Sequence, residues 1–272
     1  MRISGKTRVL GLIGYPVEHS LSPSMHNAAF EHLGLDCCYV TFSVRPELLG
    51  DAVRAIRALN LKGVNVTVPH KEKVIPLLDL VDEEASFIGA VNTILNDDGV
   101  LKGFNTDGKG FMESLKDANI DVKDKRVVII GAGGASRAIG FYLCKEAKVL
   151  GITDIDQEKA QRLVNDLKRL KDNVYHIERL TDLKDIDIVI NATPIGLKDT
   201  DPSPIDISLL TGDKVVCDLI YKDTFLLRSA RQRGCKTLNG LGMLLYQGVL
   251  AFEIWTGMKA PVEVMREALL KG

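Results

Sequence analysis

The stretch RVVIIGAGGASRAIGF, residues 126–141, decides the fold of the second half of this chain. Its first residues have the composition of a buried strand, GAGG is a glycine-rich turn, and a helical sequence follows. Gly131 permits the tight turn, Gly133 allows a pyrophosphate to approach the main chain, and the start of the helix presents unpaired N–H groups to that anion. The stretch therefore predicts a dinucleotide-binding Rossmann unit, although Ser136 replaces the third glycine of the usual GxGxxG pattern.

A second strand, VLGITD at 149–154, follows this helix and ends in a carboxylate. Asp154 lies about twenty residues beyond the turn, where NAD enzymes place the acid that binds the hydroxyls of the adenosine ribose. A carboxylate there repels a 2′-phosphate, and the nearest following cation is Lys159, so the sequence favours NAD over NADP. Asp156 is a second candidate ribose ligand, with the alternative role of capping a helix that begins near Gln157.

Strand-like and helix-like segments alternate nearly throughout the chain, which predicts an α/β protein whose parallel sheets are covered on both faces. The polar loop DANIDVKDKR, 117–126, is the predicted boundary between two domains. We expect a first α/β domain over 1–120, a Rossmann-type nucleotide-binding domain over 121–240, and closing helices over 241–272 that pack back on the first domain. The acidic segment near 70–88 is predicted to be helical.

Composition argues against several classes of protein. The chain of 272 residues is 46% hydrophobic and 26% charged, with a net charge of −1, which gives no basic footprint for nucleic acid or for a membrane surface. Its first residues lack the apolar core of a signal peptide, so we expect a soluble, cytoplasmic protein without a membrane span. The five cysteines form no CxxC pair and the five histidines show no ligand spacing, which predicts no metal site.

Several motifs run nearly from end to end in a family-like order. They are GYPVEHSLSPSMHNAAF (14–30), GVNVTVPHK (63–71), GAVNT (89–93), GFNTDG (103–108), NATPIG (191–196) and NGLGMLLYQG (239–248). With GAGGASRA, they make the chain resemble the shikimate dehydrogenase family, which reduces 3-dehydroshikimate to shikimate with a nicotinamide dinucleotide. The resemblance implies that the first half is the substrate domain, with the substrate in a cleft between it and the Rossmann unit.

The resemblance also implies a catalytic pair, Lys71 and Asp107. Pro69 cannot continue a strand ladder, so Lys71 emerges just beyond a strand end; without the motif, such a lysine is usually only solvated. During ketone reduction, negative charge grows on the oxygen and a proton must reach it, which a lysine ammonium can deliver. Whether Lys71 or Asp107 accepts the proton in the oxidative direction is left open by the sequence.

The remaining site residues follow from the same motifs. By resemblance, the substrate contacts Ser20, Ser22, Thr67, Lys71, Asn92, Asp107, Tyr221 and Gln247. Ser22 has the alternative role of an N-cap, because it precedes Pro23. The glycine turn, the acids after it and the resemblance together give the expected dinucleotide-binding set, which is Gly131, Ala132, Gly133, Gly134, Ala135, Asp154, Asp156, Lys159, Thr193, Leu219 and Gly240.

One departure from the family pattern bears on the cofactor. Many NADP-dependent members carry an Asn-Arg-Thr run where this chain has Asp154, Ile155 and Asp156, so an arginine for the 2′-phosphate is missing. Three functions stay open: a shikimate dehydrogenase of aromatic amino-acid (chorismate) biosynthesis using NAD(P), an NAD-dependent quinate/shikimate dehydrogenase, and a non-catalytic regulator that binds a shikimate-like ligand. The partner in each case is a small molecule, and the protein is a monomer or a homodimer.

Overall fold

The computed structural model describes residues 3–271. The chain forms two compact units, of which the first contains the described residues up to Thr106 together with those from Leu245 onward. The second unit comprises Asp107–Leu244. Each unit is built around its own six-stranded sheet, and both sheets are packed with helices, as the α/β prediction required.

The first unit contains a mixed sheet. Its strands are β1 (Arg8–Gly14), β2 (Cys37–Ser43), β3 (Gly63–Val66), β4 (Leu80–Val81), β5 (Thr93–Asp97) and β6 (Val100–Phe104). They lie in the order β2-β1-β3-β5-β6-β4. The prediction of a parallel sheet is wrong here, because β5 is antiparallel to both β3 and β6. A two-residue turn at Asp98 and Gly99, whose φ angles of 49° and 91° suit a tight hairpin, reverses the chain between β5 and β6, so these two strands cannot both be parallel to the rest of the sheet.

The helices of the first unit come from both ends of the chain. They are α1 (Ser22–His32), α2 (Leu49–Ala58), α3 (Glu83–Ile88) and α9 (Val262–Lys271), joined by the part of α8 (Leu241–Thr256) that follows Leu244. α9 packs along α1. The segment 70–88 is not one helix: a short 3₁₀ turn, Ile75–Leu77, contains Pro76, and β4 follows before α3. Asp82 then caps α3 by accepting a hydrogen bond of 3.0 Å from the Glu84 N–H.

The second unit contains a wholly parallel sheet. Its strands are β7 (Arg126–Ile130), β8 (Val149–Thr153), β9 (Val174–His176), β10 (Ile188–Asn191), β11 (Val215–Asp218) and β12 (Lys236–Leu238), in the order β12-β11-β10-β7-β8-β9. The strand order reverses direction at β7, which carries the glycine turn at its carboxyl end. Such a reversal point is where doubly wound sheets bind their ligands.

Four helices accompany this sheet: α4 (Asp107–Asp117), α5 (Gly134–Glu146), α6 (Gln157–Lys168) and α7 (Phe225–Gln232). The unit boundary falls before α4, whereas the sequence suggested a boundary at the polar loop 117–126. α4 belongs with the second unit because it packs closely on α5, where a side chain on Gly108 would lie 2.1 Å from the Ala138 carbonyl oxygen. Within residues 3–271, no helix has the length and apolar character needed to cross a membrane.

Candidate active site

One edge of the first sheet gathers most of the expected substrate ligands. Ser20 and Ser22 follow β1, while Thr67 and Lys71 follow β3. Asn92 immediately precedes β5, and because β5 is antiparallel its start lies at the edge where β1 and β3 end. The Val91 N–H donates a 2.8 Å hydrogen bond to the Lys71 carbonyl oxygen, which fixes Lys71 beside the Asn92 segment.

The two serines lie at the start of α1. Ser22 is its first residue and is 5% exposed, whereas the N-cap position falls on Leu21 and has no side-chain capping bond. The N-cap role considered for Ser22 is therefore wrong. Its N–H donates instead to the Ser20 hydroxyl oxygen over 3.3 Å, so the two serines lie in one tight turn.

A buried chain of polar side chains links the serine end of this edge to Asn92. The Tyr39 hydroxyl has Ser22 as a side-chain hydrogen-bond partner and donates to Asn65 Oδ1 over 2.8 Å. Asn65 Nδ2 donates to the Asn92 carbonyl oxygen and to Thr93 Oγ1, each over 3.1 Å. Burial raises the pKa of the Tyr39 hydroxyl, which keeps it a neutral donor.

This chain of hydrogen bonds ends at Thr106, where the chain first leaves the first unit. Asn92 Oδ1 accepts from the Thr106 N–H over 2.8 Å, and Asn92 Nδ2 donates to Thr106 Oγ1 over 2.9 Å. The sequence analysis overlooked Tyr39 and Asn65. The available signal was a polar side chain inside an otherwise apolar strand, because an asparagine buried in β3 needs hydrogen-bond partners.

Gln247 reaches the first unit through α8. It is 8% exposed, and its neighbour Gly248 lies against α1, where a side chain on Gly248 would meet Met25 at 2.3 Å. Close approach of the two helices at this glycine places Gln247 in the part of the unit that carries Ser22. From Leu245 onward, the closing helices belong to the first unit, whereas residues 241–244 at the start of α8 belong to the second.

Two expected substrate ligands belong to the second unit. Asp107 is the first residue of α4 and is 7% exposed. It directly follows Thr106, whose N–H donates to Asn92 Oδ1, so the main chain just before Asp107 is restrained. Tyr221 follows β11 and is 51% exposed, which leaves its ring accessible to a ligand.

The second unit contains a pocket of about 610 Å³ at the carboxyl end of its sheet. Its wall includes Gly131, Ala132, Gly133, Asp154, Lys159 and Thr193 from the expected dinucleotide-binding set. A cavity of this size suits a nucleotide-sized ligand. Among the residues 3–271, by contrast, no group of three or more His, Cys, Asp or Glu side chains is arranged to hold a metal ion.

The glycine turn has the geometry that a pyrophosphate site requires. Gly131 has a φ of 105°, and its N–H donates to the Thr153 carbonyl oxygen over 2.7 Å. Gly133 is the N-cap of α5, and because glycine has no side chain it cannot cap the first N–H groups of the helix itself. A side chain added at Gly133 would meet no atom within 4 Å, which shows that the turn faces open space.

Asp154 is turned toward that glycine turn. Its carboxylate accepts a 2.6 Å hydrogen bond from the Ala132 N–H and a 2.9 Å bond from the Asp156 N–H. Asp156 caps α6 by accepting a 2.9 Å bond from the Lys159 N–H, so its predicted capping role is confirmed. The pocket wall also contains Arg179, a cation after β9 that the sequence analysis did not consider.

The other expected dinucleotide ligands lie beyond β10, β11 and β12. Thr193 lines the pocket, and its hydroxyl donates to Asn191 Oδ1 over 2.7 Å. Leu219 and Gly240 pack against each other, since a side chain on Gly240 would lie 2.1 Å from the Leu219 carbonyl oxygen. A glycine is therefore required where these two loops meet.

Comparisons with known proteins cover almost the whole chain. Three family models match: the shikimate dehydrogenase substrate binding domain over residues 12–94, shikimate / quinate 5-dehydrogenase over 113–196, and the shikimate 5'-dehydrogenase C-terminal domain over 240–270. A curated relative, shikimate dehydrogenase (NADP(+)) of Desulforamulus reducens, is 49% identical over 285 residues, which cover 99% of this chain and 97% of that protein.

Solved structures agree with these matches. A shikimate dehydrogenase in complex with NADP+ superposes with a TM-score of 0.94 at 43% identity, covering 99% of this chain and 97% of the other. The Listeria monocytogenes shikimate 5-dehydrogenase in complex with shikimate and NAD has a TM-score of 0.90 at 40% identity, covering 98% of each chain.

Proposed function

This chain belongs to the shikimate dehydrogenase family, and we propose that it catalyses the reversible NAD(P)H-dependent reduction of 3-dehydroshikimate to shikimate. The reaction is an oxidoreduction at a CH–OH group and belongs to aromatic amino-acid biosynthesis. The observation that carries this proposal is the single sheet edge of the first unit, which bears two serine hydroxyls, a threonine, a lysine and an asparagine.

These groups match the chemistry of the substrate, a ring carboxylate with three further oxygens. Ser20 and Ser22, which lie in one turn, are assigned to the carboxylate. Thr67, Asn92 and Gln247 are assigned to ring hydroxyls, and Tyr221 to an additional contact from the second unit. Neutral donors and acceptors held by buried partners bind a polar ring without the cost of desolvating further charges.

Lys71 and Asp107 are assigned to proton transfer. In the reductive direction, the Lys71 ammonium donates a proton to the oxygen on which negative charge develops, and the Asp107 carboxylate stabilises that ammonium. In the oxidative direction, the same pair receives the hydroxyl proton. The bond from the Val91 N–H to the Lys71 carbonyl oxygen and the bond from the Thr106 N–H to Asn92 restrain the main chain at Lys71 and just before Asp107, which supports this assignment.

The pocket of the second unit is assigned to the nicotinamide dinucleotide, which when bound supplies or accepts the hydride. Gly131, Ala132, Gly133, Gly134 and Ala135 would hold its pyrophosphate at the start of α5. Thr193, Leu219 and Gly240 are assigned to the loops around the remaining part of the dinucleotide.

For the choice of dinucleotide, we propose a preference for NAD. The Asp154 carboxylate lies in the pocket wall, where it binds two ribose hydroxyls well and a 2′-phosphate poorly. Asp156 adds a second negative charge nearby. Lys159 and Arg179 are the opposing cations of the same wall, and they are the residues that would have to hold a 2′-phosphate if NADP is the better substrate.

A second candidate function is an NAD-dependent quinate/shikimate dehydrogenase. The observation that favours it is the acidic ribose site, together with the family model described as shikimate / quinate 5-dehydrogenase. Quinate carries one more hydroxyl on the carbon that bears the carboxylate, next to the place assigned to Ser20 and Ser22.

The experiment that tests both proposals is initial-rate oxidation of shikimate and of quinate, each with NAD and with NADP. Lys71→Met serves as the blank, because it keeps the size of the side chain and removes the transferable proton. Turnover of shikimate by the wild type and not by Lys71→Met supports the main proposal. Turnover of quinate with NAD at a rate comparable to that of shikimate supports the second. Ligand binding without turnover of either acid would contradict both and would favour a non-catalytic regulator.

A further inference from the structure

Asn191 and Asp218 form a buried pair at the carboxyl ends of β10 and β11. Asn191 is 0% exposed and Asp218 is 1% exposed. Asn191 Nδ2 donates to Asp218 Oδ1 over 3.1 Å, so the amide of one strand end is joined to the carboxylate of the next. Neither side chain is assigned to substrate or dinucleotide by the chemistry described above.

Each member of the pair holds one loop. Asn191 Oδ1 accepts from the N–H and from the hydroxyl of Thr193, over 3.1 and 2.7 Å, while Asn191 Nδ2 also donates to the Ile195 carbonyl oxygen over 3.1 Å. Asp218 Oδ1 accepts from the Ile220 N–H over 3.1 Å. The Ile220 carbonyl oxygen in turn accepts from the Gly240 N–H over 3.0 Å.

The carboxylate is expensive to bury, so its presence needs a reason. Asp218 receives only neutral donors in these contacts, and burial raises the pKa of its carboxyl group. Its second oxygen, Oδ2, accepts from Thr224 Oγ1 over 2.7 Å. A carboxylate can accept on both oxygens at once, and this allows one side chain to join α7 and two loops.

The two loops flank the glycine turn on the side away from Asp154. In the sheet order β12-β11-β10-β7-β8-β9, the strand before Asp154 lies on one side of β7, and β10 and β11 lie on the other. A dinucleotide bound across such a sheet places its adenosine ribose by the acid after β8 and its other half over the opposite strands.

We propose that Asn191 and Asp218 are positioning residues for the nicotinamide half of the dinucleotide: the pair fixes the Thr193 loop and the Ile220–Tyr221 loop relative to each other. This inference rests on the proposed function, and it concerns the nicotinamide half. The pocket wall that contains Asp154 also includes Thr193, but it does not include Ile220, Tyr221 or Gly240, so the pair's effect on the adenosine half is expected to be the smaller one.

The test compares binding of the whole reduced dinucleotide with binding of its adenosine half. The probes are NADH and ADP-ribose, or NADPH and 2′-phospho-ADP-ribose if the wild type binds NADPH more tightly. Fluorescence of the reduced nicotinamide measures the first affinity and calorimetry the second. For Asp218→Leu, which removes every bond to the carboxylate, we expect the affinity for the reduced dinucleotide to fall about tenfold while that for ADP-ribose stays within about twofold.

Two further variants separate positioning from stability. In Asp218→Asn, the amide oxygen can still accept from Ile220 and Asn191 when the amide nitrogen faces Thr224. This variant should therefore bind the reduced dinucleotide more tightly than Asp218→Leu does, with an affinity close to that of the wild type. Thr224→Val removes the bond to Asp218 Oδ2 and the cap of α7 at the Leu227 N–H, leaves the bonds to both loops, and should lower the unfolding midpoint without changing the ratio of the two affinities. If Asp218→Leu does not fold, Asn191→Ala is measured by the same two titrations, with the same expected change.

Equal losses of both affinities in the folded variants would overturn the inference, because they indicate a merely structural role. Unchanged affinities would overturn it as well. A wild type that binds NAD(P)H but does not oxidise shikimate would contradict the proposed function, and the two titrations would still decide the role of the pair. A wild type that binds neither reduced dinucleotide would contradict both.

Discussion

Trp255 in α8 donates its indole N–H to the carbonyl oxygen of Ile94 in β5 over 2.9 Å, although 161 residues separate the two in sequence. Trp255 is 2% exposed, and it fits because the residue beside it in the sheet is a glycine. A side chain on Gly63 would lie 2.4 Å from the indole nitrogen and 2.5 Å from the Ile94 oxygen. Helix α8 thereby becomes part of the core that packs on β3 and β5.

We expect Gly63→Ala to destabilise the first unit by about 2 kcal/mol, because the added methyl group must displace the Trp255 ring or a main-chain carbonyl. Urea unfolding followed by tryptophan fluorescence measures this change, since Trp255 is the single tryptophan of the chain. Gly5→Ala is the matched control: a side chain there meets no atom within 4 Å, and the effect should stay within about 0.5 kcal/mol. Equal midpoints for the two variants would contradict this packing argument.

His26 makes stability depend on pH. Its ring is 0% exposed and stacks on Tyr39 at 4.5 Å, and neither ring nitrogen has a hydrogen-bond partner among residues 3–271. Burial lowers the pKa of His26 to about 3, whereas the unfolded chain has the ordinary histidine pKa of about 6.5. The unfolded state therefore binds the proton first, so the stabilisation present above about pH 6.5 is lost as the pH falls toward 3.

Between pH 7.5 and pH 5, we expect this one group to lower the free energy of unfolding by about 2 kcal/mol. Urea unfolding at both pH values measures the loss. In His26→Gln, the difference in unfolding free energy between pH 7.5 and pH 5 should be smaller by about 2 kcal/mol, even if the substitution also changes stability at neutral pH. His32→Gln, at the exposed end of the same helix, is the control and should retain the loss. A loss of the same size in His26→Gln and the wild type would assign the pH dependence to other groups.

The second unit was predictable because its signals are local. A run of β-branched residues, a glycine turn and a helical sequence occupy consecutive positions, and the structure has β7, the turn at Gly131 and α5 in that order. The cap of α6 was predictable for the same reason, because Asp156 accepts from the N–H of Lys159, only three residues further along the chain.

The first unit shows what local signals leave out. A strand's hydrophobicity does not specify its direction, and the tight turn at Asp98 and Gly99 indicates only that β5 and β6 run in opposite directions. The link from Tyr39 in β2 to Asn65 in β3 joins two strands that are separated by β1 in the sheet, so it depends on the strand order. Arg179 entered the pocket wall in the same way, through the position of β9 at the end of the sheet.

We expect Asp154→Asn to shift the choice of dinucleotide toward NADP. The amide removes the negative charge that faces a 2′-phosphate, and its oxygen still accepts the Ala132 N–H that the carboxylate now receives at 2.6 Å. The ratio of kcat/KM for NAD to that for NADP should fall about tenfold, measured by initial rates with shikimate. Asp156→Asn keeps the helix cap at Lys159 and should change the ratio less. An unchanged ratio in Asp154→Asn would leave Lys159 and Arg179 as the groups that set it.

The two glycines of the turn are expected to fail in different ways when each is replaced by alanine. Gly131 has a φ of 105°, and a side chain there would lie 3.0 Å from Thr193 Cγ2 and 3.1 Å from the Ala192 carbonyl oxygen. Gly133 has a φ of −79° and a ψ of −172°, which any residue adopts, and a side chain there meets no atom within 4 Å. Gly131→Ala should therefore cost about 1–3 kcal/mol of stability, and Gly133→Ala less than about 0.5 kcal/mol.

Gly133→Ala should weaken dinucleotide binding although it leaves stability almost unchanged. The added methyl group would occupy the space through which a pyrophosphate approaches the start of α5. We expect Gly133→Ala to weaken NAD(P)H binding about tenfold or more at an unfolding midpoint close to that of the wild type. Fluorescence titration and urea unfolding of the same preparations measure the two quantities. A methyl group at Gly133 would touch no other part of the protein, so it can affect binding only by contacting the dinucleotide. Full binding by Gly133→Ala would therefore place the pyrophosphate away from this turn.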